Sequence, residues 1–230
     1  MLVVLGAVAS FFSLSSAVPQ VRRALRSRCV DGLSTSSLLL TLAALVSWCV
    51  YSAVVMDDVQ LVNNTVSFGF AVLLVFALLR ARGGSWARDA VAALLAVAVA
   101  GAVALSVVHL VSPFALAMLG TVLSSVRLWP QTRLALIGAP LWGLDPWATV
   151  LGQMGWLLWA AYGMAAGDHA LALCSVTGLV MQSTITAYRL PPRRTLHAVA
   201  GGRLGPVAAR LALGVAGRFP LQADDYELAA

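Results

Sequence analysis

The chain contains no lysine, and only 10% of its 230 residues are charged, against about 25% in soluble globular domains. Its carboxylates stand at the ends of apolar runs or between them, and none lies deep within a run. A proton-driven carrier is expected to hold an intramembrane carboxylate or histidine; His109 and His169 both fall at the ends of runs. The three cysteines, Cys29, Cys49 and Cys174, form neither a C-x-x-C pair nor a His/Cys cluster. No disulfide framework, metal site or other cofactor is therefore expected. Cys49 and Cys174 lie in apolar runs and read as small buried hydrophobes. Without lysine the Schiff base of a seven-helix retinal protein is excluded. No Ser/His/Asp grouping and no phosphate-binding glycine loop is present, so no enzyme is expected. The net charge of +6 comes from arginine alone. Those arginines stand between apolar runs, where they report topology and do not build a nucleic-acid-binding face.

What the chain does have is apolar residues, 60% of the total, gathered into seven runs. These are Leu2 to Val18, about Leu33 to Met56, about Val59 to Leu79, Ala90 to Val111, Phe114 to Trp129, about Trp147 to Ala166 and about Ala170 to Tyr188. Each is close to the roughly 20 residues a membrane-spanning helix needs. The first run lacks the positive n-region of a signal peptide and is expected to be retained as a helix. Arg22, Arg23, Arg26 and Arg28 follow it, while Asp57, Asp58 and Asp168 fall in the alternate turns. With the N-terminus outside and the C-terminus in the cytoplasm, every arginine falls on or near the cytoplasmic side, as positive-inside topology requires. Arg127, one turn from the end of the fifth run, is expected to snorkel to that boundary. The fold class read from this pattern is an all-α membrane protein with seven transmembrane helices.

The runs contain a duplication. Pro19-Gln20 and Pro130-Gln131 stand 111 residues apart (130 minus 19), and each is followed by an arginine, Arg22 and Arg133. The same offset relates Gly32-Leu33 to Gly143-Leu144, Trp48 and Tyr51 to Trp159 and Tyr162, and Asp57 to Asp168. A constant register over that many positions indicates a repeat without insertions. The organisation expected is a three-helix repeat over 1–79, a linker helix over 80–112, a second repeat over 113–190 and a tail over 191–230. The odd number of helices in a repeat makes the fourth helix a spacer that lets both repeats run parallel. The tail is expected to be mostly disordered, with one short amphipathic helix from Pro206 to Val215.

Trp48 and Trp159 each lie nine residues before an aspartate that marks the outer boundary. At 1.5 Å per residue they are about 13 Å deep, near the middle of a hydrocarbon core about 30 Å thick. That depth takes them out of the interfacial belt, where Trp86, Trp129, Trp142 and Trp147 are expected. Asn63 and Asn64 are about 8–9 Å in and must face the bundle interior or a wet cavity. Ser175, with Thr177 nearby, is the counterpart of Asn64. Indole faces beside amides and hydroxyls suit a neutral polyol. Helix packing and interhelical hydrogen bonds would use the same residues. Two prolines at equivalent places near the inner ends suggest a paired hinge built on Pro19, Gln20, Pro130 and Gln131.

The V-P-Q-V segment, the G-L-S at Gly32 to Ser34, the W-C-V-Y at Trp48 to Tyr51, and Asn64 resemble the PQ-loop repeat of SWEET and SemiSWEET sugar transporters. The resemblance covers about residues 1–190. It implies two parallel three-helix bundles joined by a linker helix and facilitated sugar movement by alternating access. It places Trp48, Asn64, Trp159 and Ser175 in the substrate pocket and Pro19 and Pro130 in the hinge. Ser175 stands where the resemblance expects asparagine, and Gly143 to Asp145 reads G-L-D where it expects G-L-S. The expected function is uniport of mono- or disaccharides across a plasma membrane, and the lysine-free, alanine- and arginine-rich composition points to a bacterial one. The alternatives are a proton-coupled PQ-loop amino-acid carrier and a non-transporting receptor or structural protein. The partners expected are a small neutral solute and the lipid bilayer, with no nucleic acid; a homo-oligomer stays open.

Overall fold

A computed structural model describes residues 1–27, 35–82, 86–137, 144–189, 201–202 and 205–211. They form seven long helices: α1 (Leu2–Ser27), α2 (Thr35–Val54), α3 (Asp58–Arg82), α4 (Trp86–Leu110), α5 (Pro113–Leu136), α6 (Pro146–Ala166) and α7 (His169–Arg189). A further helical stretch covers 206–211, and no strand occurs among the described residues. The expectations placed on Cys29, on residues 32–34, on Trp142 and Gly143, and on the tail at 191–200 and 212–230 lie outside the described residues.

Five helices, α1, α2, α3, α4 and α7, are long and apolar enough to cross a membrane, and the chain is an integral membrane protein. The other two are as long, at 24 and 21 residues, α5 with two arginines and α6 rich in tryptophan and glycine. Thr121, Ser124, Ser125, Arg127 and Arg133 stand on α5, and Gln153 stands on α6. Large apolar side chains face outward along the bundle, among them Val4, Phe11, Phe76, Leu94, Leu157 and Val180. Such a surface suits lipid, which needs no polar face from the protein.

Two of the expected boundaries are wrong in an informative way. Hydropathy drops at Val18 and Trp129, yet α1 continues to Ser27 and α5 to Leu136. Both Pro-Gln pairs therefore lie inside helices. An interior proline forfeits one backbone hydrogen bond and crowds the carbonyl four residues back; a helix held by neighbours on both sides runs through it.

The helices pack as a ring, α1–α3–α2–α5–α7–α6 and back to α1, with α4 lying mainly on α2. Each group of three puts its last helix between the other two. Contacts along the helices fix their directions. Gly6 meets Tyr162 and Gly155 meets Ser13, so α1 and α6 are antiparallel. Gly163 meets Ala172, and Trp156 meets Gly178, so α6 and α7 are antiparallel too. Asn64 bonds Ser52, and Trp48 bonds Ser124, which sets α2 against both α3 and α5. It follows that α1, α3, α5 and α7 share one direction, and that the two groups of three run parallel. Asp57, Asp58 and Asp168 gather at one end. The exposed Arg22, Arg26, Arg80, Arg88 and Arg133 gather at the other.

Small residues set the helix spacing. A Cβ at Gly163 would stand 2.7 Å from the backbone nitrogen of Ala172, so α6 and α7 touch nearly backbone to backbone. Beside a small cluster around Leu42, Ala71 and Ala93, the apolar interior divides in two. One cluster, around Trp48, Tyr51, Leu116, Trp159, Tyr162 and Leu171, fills the acidic half. The other, around Leu38, Leu78, Leu144 and Ile185, fills the arginine half.

Candidate functional site

The 111-residue offset of the sequence reappears as paired bonds between the two halves. Tyr51 on α2 donates its hydroxyl to Asp168 Oδ2 across the ring at 3.0 Å, and Tyr162 on α6 donates to Asp57 Oδ2 at 2.9 Å. One turn deeper, Trp48 Nε1 donates to Ser124 Oγ at 3.0 Å and Trp159 Nε1 to Ser13 Oγ at 2.9 Å. Each bond maps onto its twin under the same offset. Within each half the tryptophan and tyrosine, three apart on one helix face, meet edge to face at 5.5 Å and 5.2 Å between centroids.

Local structure explains how each member is held. Asp57 and Asp168 stand just before α3 and α7, where the free N–H groups of a helix start attract a carboxylate. Asp57 Oδ1 accepts from Gln60 N at 3.0 Å, and Asp168 Oδ1 accepts from Leu171 N at 2.9 Å. Each carboxylate thus caps its own helix with one oxygen and receives the tyrosine of the other half with the second. Gln60 Nε2 adds a bond to Asp57 Oδ2 at 2.7 Å. Gly120 lies under the Trp48 ring, which a Cβ there would approach to 3.1 Å. Its counterpart Ala9 is fully buried in the same cluster. Together these two layers seal the ring at its acidic end.

Below them lies a cavity of about 310 Å³, walled by both halves. Trp48, Asn64, Trp159 and Ser175, the expected pocket residues, all line it. Asn64 Nδ2 donates to Ser52 Oγ at 3.3 Å, and Asn63 Nδ2 reaches Asn64 Oδ1 at 3.5 Å. Asn63 Oδ1, Gln60 Oε1 and Ser175 Oγ are buried without a hydrogen-bond partner among the described residues. Unsatisfied buried polar atoms are costly; Gln60 and Asn63 on α3 and Ser175 on α7 bring such atoms to the cavity from both halves.

Of the expected hinge residues, Gln20 and Gln131 line the cavity toward the arginine end, and Pro19 and Pro130 stand beside them inside their helices. Gln20 Oε1 accepts from the Asp145 backbone N–H at 2.9 Å, which ties α1 to the start of α6 in the other half. Asp145 is also the N-cap of α6, its Oδ1 accepting from Trp147 N and Ala148 N. Serine and aspartate are both strong N-caps, so the G-L-D departure from G-L-S keeps a capping residue.

Arg127 is where the sequence reading fails. It does not snorkel to the boundary; it lines the cavity. Its guanidinium carbon stands 5.6 Å from the centroid of the Trp156 ring, and Nη1 is 3.5 Å from Thr41 Oγ1. A single arginine beside a proline looks like a helix exit. Only the continuation of α5 to Leu136 puts it inside. The serines Ser13 and Ser124 were also missed as partners of the tryptophans. Their signal was present, because they obey the offset.

Residues 1–61 match the family model described as PQ loop repeat. The match takes in α1, α2 and the first turn of α3, hence most of the first copy, to which the second copy is related by its register. No curated protein matches the chain.

Proposed function

We propose that the chain is a SWEET-like facilitative carrier for a small hydroxylated solute of the sugar class, working by alternating access across a bacterial plasma membrane. The observation that supports this reading most is the reciprocal pair Tyr51–Asp168 and Tyr162–Asp57. It closes one end of a cavity to which both copies contribute. In this reading all seven helices span, the N-terminus and the acidic end face outward, and the arginine end faces the cytoplasm. The copies over 1–79 and 113–190 are the moving halves, and the segment over 80–112 links them.

Each half supplies the tyrosine of one latch and the aspartate of the other. A tilt of one half against its twin therefore breaks both bonds together, which makes the acidic end a two-state gate. The interior prolines make α1 and α5 pliable at equivalent places. The Gln20–Asp145 bond is the contact released when the arginine end opens. Trp48 and Trp159 present indole surface to a sugar ring, and Asn63, Asn64 and Ser175 meet its hydroxyls. No carboxylate lines the cavity among the described residues, which favours a uniporter over a proton-coupled amino-acid carrier.

Radiolabelled flux into proteoliposomes tests this, with mono- and disaccharides beside neutral amino acids, with and without a pH gradient. The expected result is sugar equilibration that ignores the pH gradient and is lost in the Trp48→Ala/Asn64→Ala variant. Amino-acid accumulation driven by the gradient would replace the uniporter with a coupled carrier. No flux of any solute, with pocket variants altering only the melting temperature, would assign a receptor or structural role.

A further inference from the structure

Departures from the internal repeat occur at most positions around the cavity, Gln60/Leu171 and Asn63/Cys174 among them, and one group of three stands together. Arg127, Trp156 and Gly178 stand at the positions of Ser16, Leu45 and Ser67 in the first copy, and Ser16, Leu45 and Ser67 all line the cavity. The three replacements are physically linked. A Cβ at Gly178 would fall 2.6 Å from the Trp156 ring, so glycine there makes room for the indole. The indole in turn underlies the Arg127 guanidinium at 5.6 Å, a cation–π arrangement. The second copy has thus built a seat for a cation where the first has a hydroxyl.

That cation has little to bind within the protein. Arginine stays protonated in any protein setting. Among the described residues its polar partners are the Thr41 hydroxyl at 3.5 Å and, through Nε, none. No aspartate or glutamate lines the cavity among the described residues. A positive charge held at the wall of a low-dielectric cavity without a counter-charge is costly, and an entering anion relieves that cost. The guanidinium presents a planar fork that matches a carboxylate. The first copy supplies the amide wall of Gln60, Asn63 and Asn64, including acceptors without partners at Gln60 and Asn63. A cavity of about 310 Å³ sits at the low end of the range for small-ligand pockets, about 300–1,000 Å³.

We infer that the solute is a monoanionic polyhydroxy acid of monosaccharide size, its carboxylate on Arg127 and its hydroxyls on the α3 amides. This rests on the carrier reading for its route across the membrane, but not for its binding. A zwitterion is disfavoured, because among the described residues no carboxylate lines the cavity to receive an ammonium group. The inference departs from the expectation of a neutral solute.

Binding and flux are measured separately, with glucuronate, glucose, inorganic phosphate and alanine as probes. Binding to the purified full-length protein is read by tryptophan fluorescence, in wild type, Arg127→Ser, Arg127→Gln and Arg127→Lys. Melting temperatures establish which variants are folded, and the conservative Arg127→Gln serves if the serine variant is not. The expected result is glucuronate binding about tenfold or more tighter than glucose, the size of one charge-assisted contact. The serine and glutamine variants lose that preference, and lysine keeps part of it. In proteoliposomes glucuronate flux responds to an imposed membrane potential while any glucose flux does not, because only the acid carries charge. Equal binding of glucuronate and glucose, or a preference that survives Arg127→Gln, overturns the inference. Phosphate binding as tight as glucuronate would reduce the site to a bare anion site, and tighter alanine binding would make it a zwitterion site; either overturns the proposed class. Arg127-dependent glucuronate binding without flux leaves the inference standing and removes the carrier reading. Glucose flux with glucuronate excluded does the reverse.

Discussion

Tyr51 and Tyr162 illustrate how much one atom decides in this chain. Each ring packs in the apolar cluster with its tryptophan, and each hydroxyl reaches the aspartate that caps a helix of the other half. Tyr51→Phe and Tyr162→Phe keep the ring and remove one latch apiece. A hydrogen bond to a carboxylate contributes about 1.5–3 kcal/mol, so each change should raise the open fraction of the acidic end by about tenfold or more. Because the two latches are twins, the single variants should match and the double variant should exceed either. Cys174, buried on the cavity wall, is a native reporter. In a Cys29→Ser/Cys49→Ser background its rate of labelling by an impermeant maleimide from the acidic side should rise in that order. Equal rates in wild type and double variant would show that these bonds do not hold the end shut. The tyrosines were visible in the sequence as markers of register. Their partners were not, because a bond from residue 51 to residue 168 depends on how the halves dock.

At the scale of the element, the two acidic-end turns show one backbone solution reached with different residues. Gly167 has φ 73° and Met56, its equivalent, has φ 58°. A left-handed conformation at the end of a helix is natural for glycine and strained for a residue with a Cβ, by about 1–2 kcal/mol. Met56→Gly should therefore stabilise the protein by about 1 kcal/mol, and Gly167→Ala should destabilise it by a similar amount. Thermal melts in detergent measure both. Gly163→Ala belongs to a different mechanism, since its Cβ would press on the Ala172 backbone. It should lower the melting temperature more than Gly167→Ala does, because α6 and α7 must separate. The start of α5 falls beside the start of its apolar run, because Ser112 caps the helix and Pro113 opens it there. The other ends of α1 and α5 were misread, because hydropathy marks where the lipid stops and not where the backbone hydrogen bonding stops.

For the whole molecule, the governing feature is an approximate two-fold relation between parallel halves, with α4 lying outside it on α2. Charge follows the same axis, with the exposed Arg22, Arg26, Arg80, Arg88 and Arg133 at one end and Asp57, Asp58 and Asp168 at the other. Reporter fusions test the orientation proposed from that asymmetry. A cytoplasm-active fluorescent protein should be active after residue 230, and a phosphatase that requires export should be active when inserted between Asp57 and Asp58. The reverse pattern would turn the carrier over and assign the tyrosine latches to the inner side.

The sequence alone determined the repeat, its register and the apolar helices, because the 111-residue offset and hydropathy are properties of the chain read in order. The resemblance to the PQ-loop repeat placed Trp48, Asn64, Trp159 and Ser175 in one pocket, and all four line the cavity. Only the tertiary structure decided which residues meet across the halves. The serine–tryptophan and tyrosine–aspartate bonds span more than seventy residues of chain, and nothing local encodes their pairing. The fate of Arg127 was decided there too. Its charge reads as a boundary in one dimension, and packing around α5 turned that boundary into a cavity wall.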